Sequence, residues 1–183
     1  MKIIVRLFLL AFLFSATAWA AESNKLLVNV DKNGVGMQGY DPVGFFTQNK
    51  PVKGDPKFQS TVHGVTYYFS SADHKAAFDQ DPSKYEPQFG GYCAYGVSRD
   101  KLVEVEIDAF QIVGGRLLMQ YDKGIRDDFA KDVAGNLKLA NQNWPTLVDK
   151  NGKPAPARIA PAAKPAVAPA ATSGTSTAPA AAK

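Results

Sequence analysis

One cysteine and two histidines in 183 residues leave few site chemistries open. With Cys93 alone no internal disulfide can form, and without a C-x-x-C or H-x-x-H pair a structural zinc site lacks its usual ligands. No G-x-S-x-G, G-x-x-x-x-G-K-[ST], H-E-x-x-H or C-x-x-C-H run occurs. Ordinary hydrolase, P-loop nucleotide and c-type haem readings therefore have no support. No internal repeat of solenoid period is visible, which sets aside the stacked-repeat architectures.

The two ends differ from the middle. Lys2 and Arg6 precede an apolar run from Leu7 to Phe14, and Ala18-Trp19-Ala20 supplies a small-residue cleavage signal. That order predicts a secretory signal peptide over residues 1–20, because the apolar run falls short of the about 20 residues a bilayer span needs. The mature chain is then expected to be periplasmic or secreted, with no transmembrane segment. From Pro154 to Lys183 the chain is nearly all Ala and Pro with some Ser and Thr, and it has no aromatic residue. Residues 151–183 are read as a disordered Ala/Pro-rich tail that cannot bury enough apolar surface to offset ordering. Once the ends are set aside, positions 21–150 hold 15 basic and 17 acidic residues, a net charge of −2. The basic surplus belongs to the ends, so nucleic-acid binding loses its main compositional argument and no nucleic acid is expected as a partner.

What remains, 21–150, is long enough for one domain with a core. Leu26 to Val30 reads as a strand. Asp41 before Pro42 reads as a helix cap followed by an N1 proline. Phe58–Val62 and Val65–Phe69 form a hairpin around His63-Gly64, which makes His63 a solvated turn residue. A serine-capped helix follows and ends at Asp81-Pro82, where a second short turn begins. Phe110–Val113 and Leu117–Tyr121 make another hairpin around Gly114-Gly115. Asp122 caps a last helix with an apolar stripe at Ile125, Phe129, Val133, Leu137 and Ala140. A break is expected at Gly135-Asn136 and an end at Trp144-Pro145. Paired hairpins with helices laid on one face predict a small, single-domain α+β fold.

The centre of this chain is Phe89-Gly90-Gly91-Tyr92-Cys93-Ala94-Tyr95-Gly96. Three glycines within seven residues imply a tight loop around the lone thiol. Cys93 is either a packed small hydrophobe, a reactive thiol or a soft-metal ligand. His74 is the imidazole that could join it, as base or second ligand, and Tyr40, Tyr92 and Tyr95 could shape a pocket.

Gly39-Tyr40-Asp41-Pro42-Val43, Tyr67 to Ser71, Asp81-Pro82-Ser83-Lys84-Tyr85 and Pro87 to Val97 together resemble a YHS domain of the exported, single-domain kind. More loosely, the resemblance extends through Gly115-Arg116-Leu117 and Asn143-Trp144-Pro145. It implies a small α+β module of a type often regarded as metal-binding. Relatives with a cysteine-type site carry thiols after the Asp-Pro-Val element and at the strand-to-helix corner, where this chain has Gly44, Ser70 and His74. The exported branch keeps the loop thiol, here Cys93, and includes relatives with selenocysteine, which favours soft-metal or redox chemistry. The resulting expectation is a non-enzymatic module binding a soft metal such as copper through Cys93 and His74, with Tyr40, Asp41, Tyr92 and Tyr95 around the site. Thiol redox chemistry at Cys93 is one alternative. A module that binds a small ligand or a partner without catalysis is another.

Overall fold

The computed structural model describes residues 25–155. The expected signal peptide and residues 156–183 of the expected tail lie outside these residues.

Two antiparallel hairpins carry the fold. Strands β2 (Asp55–Val62) and β3 (Val65–Phe69) turn at His63 and Gly64, both at positive φ (53° and 78°), as a two-residue type I′ turn requires. Strands β4 (Glu106–Val113) and β5 (Arg116–Gln120) turn at Gly114 and Gly115 in the same way. In each, the first strand starts earlier than its alternating pattern suggests and carries an irregularity, between Asp55 and Gln59 or between Glu106 and Phe110. The hairpins stay separate two-stranded ladders.

Strand β5 divides the interior. Leu117 and Met119 enter one core with Phe45, Tyr67, Phe69 and Phe78, while Leu118 enters a second with Phe89, Ala94, Val97 and Phe129. Alternate residues of a strand face opposite sides, so a strand buried on both faces serves two cores at once. At about 1.5–3 kcal/mol for each fully buried large side chain, these two clusters supply the main stabilisation.

Helices close the cores. Pro42–Thr47 is α1, Ala72–Gln80 is α2 capped by the Ser71 hydroxyl, and Pro82–Tyr85 is α3 with its proline in the first turn. Tight 3₁₀ turns at Met37–Gly39 and Gln88–Gly91 flank them in sequence. The glycine-rich segment is less of a loop than expected, since Ala94–Ser98 forms a short helix, α4.

Three boundaries depart from the sequence reading. The last helical stretch breaks at Asp132, not at Gly135-Asn136, giving α5 (Lys123–Ala130) and α6 (Val133–Asn151). Asp132 makes the break by capping α6 through the Gly135 N–H at 2.9 Å. Helix α6 then runs through Pro145 instead of ending there. An interior proline costs about 3 kcal/mol, and burial of Leu147 with packing of Trp144 and Val148 on the second core offsets it. Lastly, the strand expected over Leu26–Val30 forms a ladder at β1 (Lys25–Leu26), against β6 (Lys153–Pro154), and beyond it only an isolated bridge from Val30 to Gly36. Ordered structure therefore reaches past residue 150, and the two ends of the described domain lie side by side.

Candidate functional site

Cys93 caps α4. Its Sγ accepts from the Gly96 N–H at 3.3 Å and donates to Gln120 Oε1 at 3.3 Å, and the residue is 1% exposed. The Gln120 carbonyl oxygen also accepts from the Tyr95 N–H at 3.1 Å. The thiol thus sits buried at the packed junction of α4 and β5. Sequence reasoning missed Gln120, and a lone glutamine at the end of an apolar strand carries no signal that could have found it.

His74 belongs to a different network. Asp41 is fully buried; its Oδ1 accepts from the Val43 N–H at 2.9 Å and the Gly44 N–H at 3.3 Å, capping α1. The other oxygen, Oδ2, accepts from Ser70 N–H at 2.8 Å, Ser70 Oγ at 2.6 Å and His74 Nδ1 at 2.6 Å. One carboxyl group therefore ties the start of α1 to the strand-to-helix corner between β3 and α2. Gly44, Ser70 and His74 meet in space. They meet as a closed hydrogen-bond network around Asp41.

This arrangement is a brace and not a nucleophilic relay. Ser70 lies on the Nδ1 side of the imidazole with Asp41, whereas a serine nucleophile must face Nε2. Nε2 lies 3.4 Å from Thr47 Oγ1, and that hydroxyl donates to the Val43 carbonyl at 3.1 Å.

The structure does not gather the expected tyrosines. The Tyr40 ring lies beneath the Lys53 ammonium at 4.3 Å, and Tyr95 stacks under Arg99 at 4.5 Å with its edge toward Phe129. Tyr92 is half-buried beside Glu104 and lines a cavity of about 620 Å³, where burial and that carboxylate push its phenol pKa up.

Open space lies on the other side of the glycine-rich turn. Gly90 is at φ +57°, and a Cβ there would collide with the Leu27 carbonyl. The turn thereby clamps the segment after β1, with the Asn29 N–H donating to the Gly90 carbonyl at 2.8 Å. Around this segment open three cavities. One, of about 290 Å³, lies between Gly90, Gly91, Met37, Tyr67 and Ile107, with Asn29 and Glu104 at its rim. The largest, about 710 Å³, holds His63, Tyr67 and Glu86 among its walls. His63 Nδ1 stands 3.5 Å from Glu86 Oε1, and the Tyr67 hydroxyl donates weakly to the same oxygen at 3.4 Å. Burial holds the Glu86 carboxyl above its ordinary range, with His63 working against it, and raises the Tyr67 phenol. His63 is thus a partnered residue and not a merely solvated one. The sequence placed the turn but could not show what lies across it.

Cys93 and His74 share no hydrogen-bond partner, the first meeting Gln120 and the second Asp41. Among the described residues, no group of three or more His, Cys, Asp and Glu side chains is placed to hold a metal ion. No helix among them is long and apolar enough to cross a membrane. Comparison with protein-family models, with curated proteins and with solved structures finds no match for this chain.

Proposed function

We propose that this chain is an exported YHS-type module that binds a small ligand without catalysis, in the cavity walled by its glycine-rich turn. One observation carries the reading: the turn's backbone at Gly90 and Gly91 forms one side of a space of about 290 Å³, floored by Met37 and Tyr67. Small-molecule sites are concave, mostly apolar and edged by a few polar groups. Val35, Val105 and Ile107 supply apolar lining here, and Asp31, Gln38 and the hydrogen-bonded pair of Asn29 and Glu104 the polar part. The cavity suits a compact, largely apolar molecule bearing one hydrogen-bond donor for the Glu104 carboxylate.

The geometry gives less to the other two readings. A soft metal such as copper shared by Cys93 and His74 would need both side chains to leave the hydrogen bonds they make to Gln120 and Asp41. Redox cycling of Cys93 would need an oxidant to reach a thiol that is 1% exposed.

Native mass spectrometry of the full exported protein, isolated from the cells that make it, tests the proposal. A small-molecule adduct is expected on the unaltered protein, and Ile107→Trp, which fills the cavity, should remove it. An adduct that persists in the filled variant, or none on a correctly folded unaltered protein, overturns the reading.

A further inference from the structure

Resting on the small-ligand reading, we infer that the cavity beside the glycine-rich turn takes a primary amine in its ammonium form, with a compact hydrocarbon body and no carboxylate. The charges around this cavity are of one sign. Asp31 and Glu104 belong to its lining, and no lysine, arginine or histidine does. Neither carboxylate makes an ion pair among the described residues. Lys53, beside Gln38, donates to the Gln38 backbone carbonyl at 2.8 Å and lies over the Tyr40 ring. The charge of Glu104 is felt nearby, since it is the second cause, after burial, that raises the Tyr92 phenol. A carboxylate on the ligand would therefore meet two negative groups and no positive one.

Hydrogen bonding selects the same class of molecule. The side chains of the lining that can donate are already engaged within the protein. Asn29 Nδ2 donates to Glu104 Oε2 at 2.9 Å, Gln38 Nε2 to the Val105 carbonyl at 2.9 Å, and the Tyr67 hydroxyl to Glu86 at 3.4 Å. Because both amides face partners that only accept, their orientation is fixed and their oxygens are the free ends. Asp31 Oδ1 is taken by the Asn33 and Val35 N–H groups at 2.8 and 2.9 Å, while Asp31 Oδ2 and Glu104 Oε1 accept from nothing among the described residues. The lining thus offers acceptors and holds back its donors. Its complement is a group that donates and cannot accept. An ammonium does so with three N–H bonds, whereas a hydroxyl or an amide also brings lone pairs that find no side-chain donor here. Asp31 and Glu104 are exposed, so the ammonium stays at the wet rim and only the hydrocarbon enters, against Met37, Tyr67 and Ile107. Keeping the charge at the rim avoids the cost of burying it.

The test is calorimetric titration of the full exported protein, at neutral pH, with probes that share one hydrocarbon body: phenethylamine, phenethyl alcohol and phenylalanine. The amine should bind at one equivalent. The alcohol and the amino acid should bind at least about tenfold more weakly, the factor that one charge-assisted hydrogen bond brings. Glu104→Gln keeps an acceptor for Asn29 and loses the charge. It should weaken the amine about tenfold and leave the alcohol unchanged, with the melting transition still cooperative. Absence of amine binding overturns the inference, as does equal affinity for the alcohol or the amino acid, or unchanged amine affinity in Glu104→Gln. Amine binding that survives Ile107→Trp overturns it too, because the ammonium would then sit elsewhere. If amine and alcohol bind equally and both are lost in Ile107→Trp, the amine falls and the small-ligand reading stands. That reading fails instead on its own adduct measurement, which assumes no charge on the ligand.

Discussion

At the scale of the residue, Cys93 is where sequence and structure pull hardest against each other. A lone thiol among glycines and tyrosines invites chemistry, yet its sulfur is occupied as a helix cap and as a donor to Gln120. Two substitutions separate a polar role from an apolar one. Serine keeps an acceptor for the Gly96 N–H and a donor for Gln120, while alanine removes both along with the volume of the sulfur. If the cap matters, Cys93→Ala should lose about 1–2 kcal/mol, the usual cost of deleting a cap, and Cys93→Ser clearly less. Urea denaturation of both variants checks the order. A thiol acting purely as a small hydrophobe would reverse it, since burying a hydroxyl costs more than burying a methyl group. In the unaltered protein, labelling of Cys93 by a thiol reagent should proceed only at the rate of unfolding, a result that a solvent-reachable redox cysteine could not give.

Among the elements, the glycine-rich turn and the segment it clamps decide how the cavities are walled. Gly90→Ala would put a methyl group against the Leu27 carbonyl at a residue with φ +57°. Both the backbone strain and the collision oppose it, so the variant should lose about 2–4 kcal/mol. Hydrogen exchange should localise the damage, with faster exchange of the Asn29 amide that now donates to Gly90. Slow exchange there in a destabilised variant would show that the turn does not hold the segment. Such local geometry was partly legible in the sequence. Both two-residue turns, the Asp41 cap with its N1 proline and the Ser71 cap could be read, because each is set by residues a few positions apart. Pairings across the chain could not be. The meeting of Asp41 with Ser70 and His74, of Cys93 with Gln120, and of His63 with Glu86 depends on how two cores pack, which no local pattern encodes. Pro145 shows the same limit from the other side: a local helix breaker is overridden by the packing of Trp144, Leu147 and Val148.

For the whole molecule, the two cores meet along β5, so strain at one is felt across the domain, and a partly buried ionisable group packed against them should register in global stability. Glu86 is such a group. Its carboxyl pKa is raised in the folded state, chiefly by burial, above the ordinary 4.5 that it regains on unfolding. A carboxyl raised in this way is protonated in both states below pH 4.5, and there it costs nothing. As pH climbs past that value the unfolded chain ionises freely while the folded protein resists, so stability falls with rising pH until the folded group has ionised too. Asp55 and Asp108 run the opposite way: their lysine partners lower them, so their contribution is lost only as pH falls below about 3.8, outside this window. Glu86→Gln removes the slope and keeps an oxygen to accept from Tyr67. Measured by thermal unfolding in metal-free buffer, it should match the unaltered protein at pH 4 and become the more stable of the two from about pH 6 upward. Equal stability across that range would mean that Glu86 ionises in the fold at no cost, with His63 and solvent supplying what burial removes.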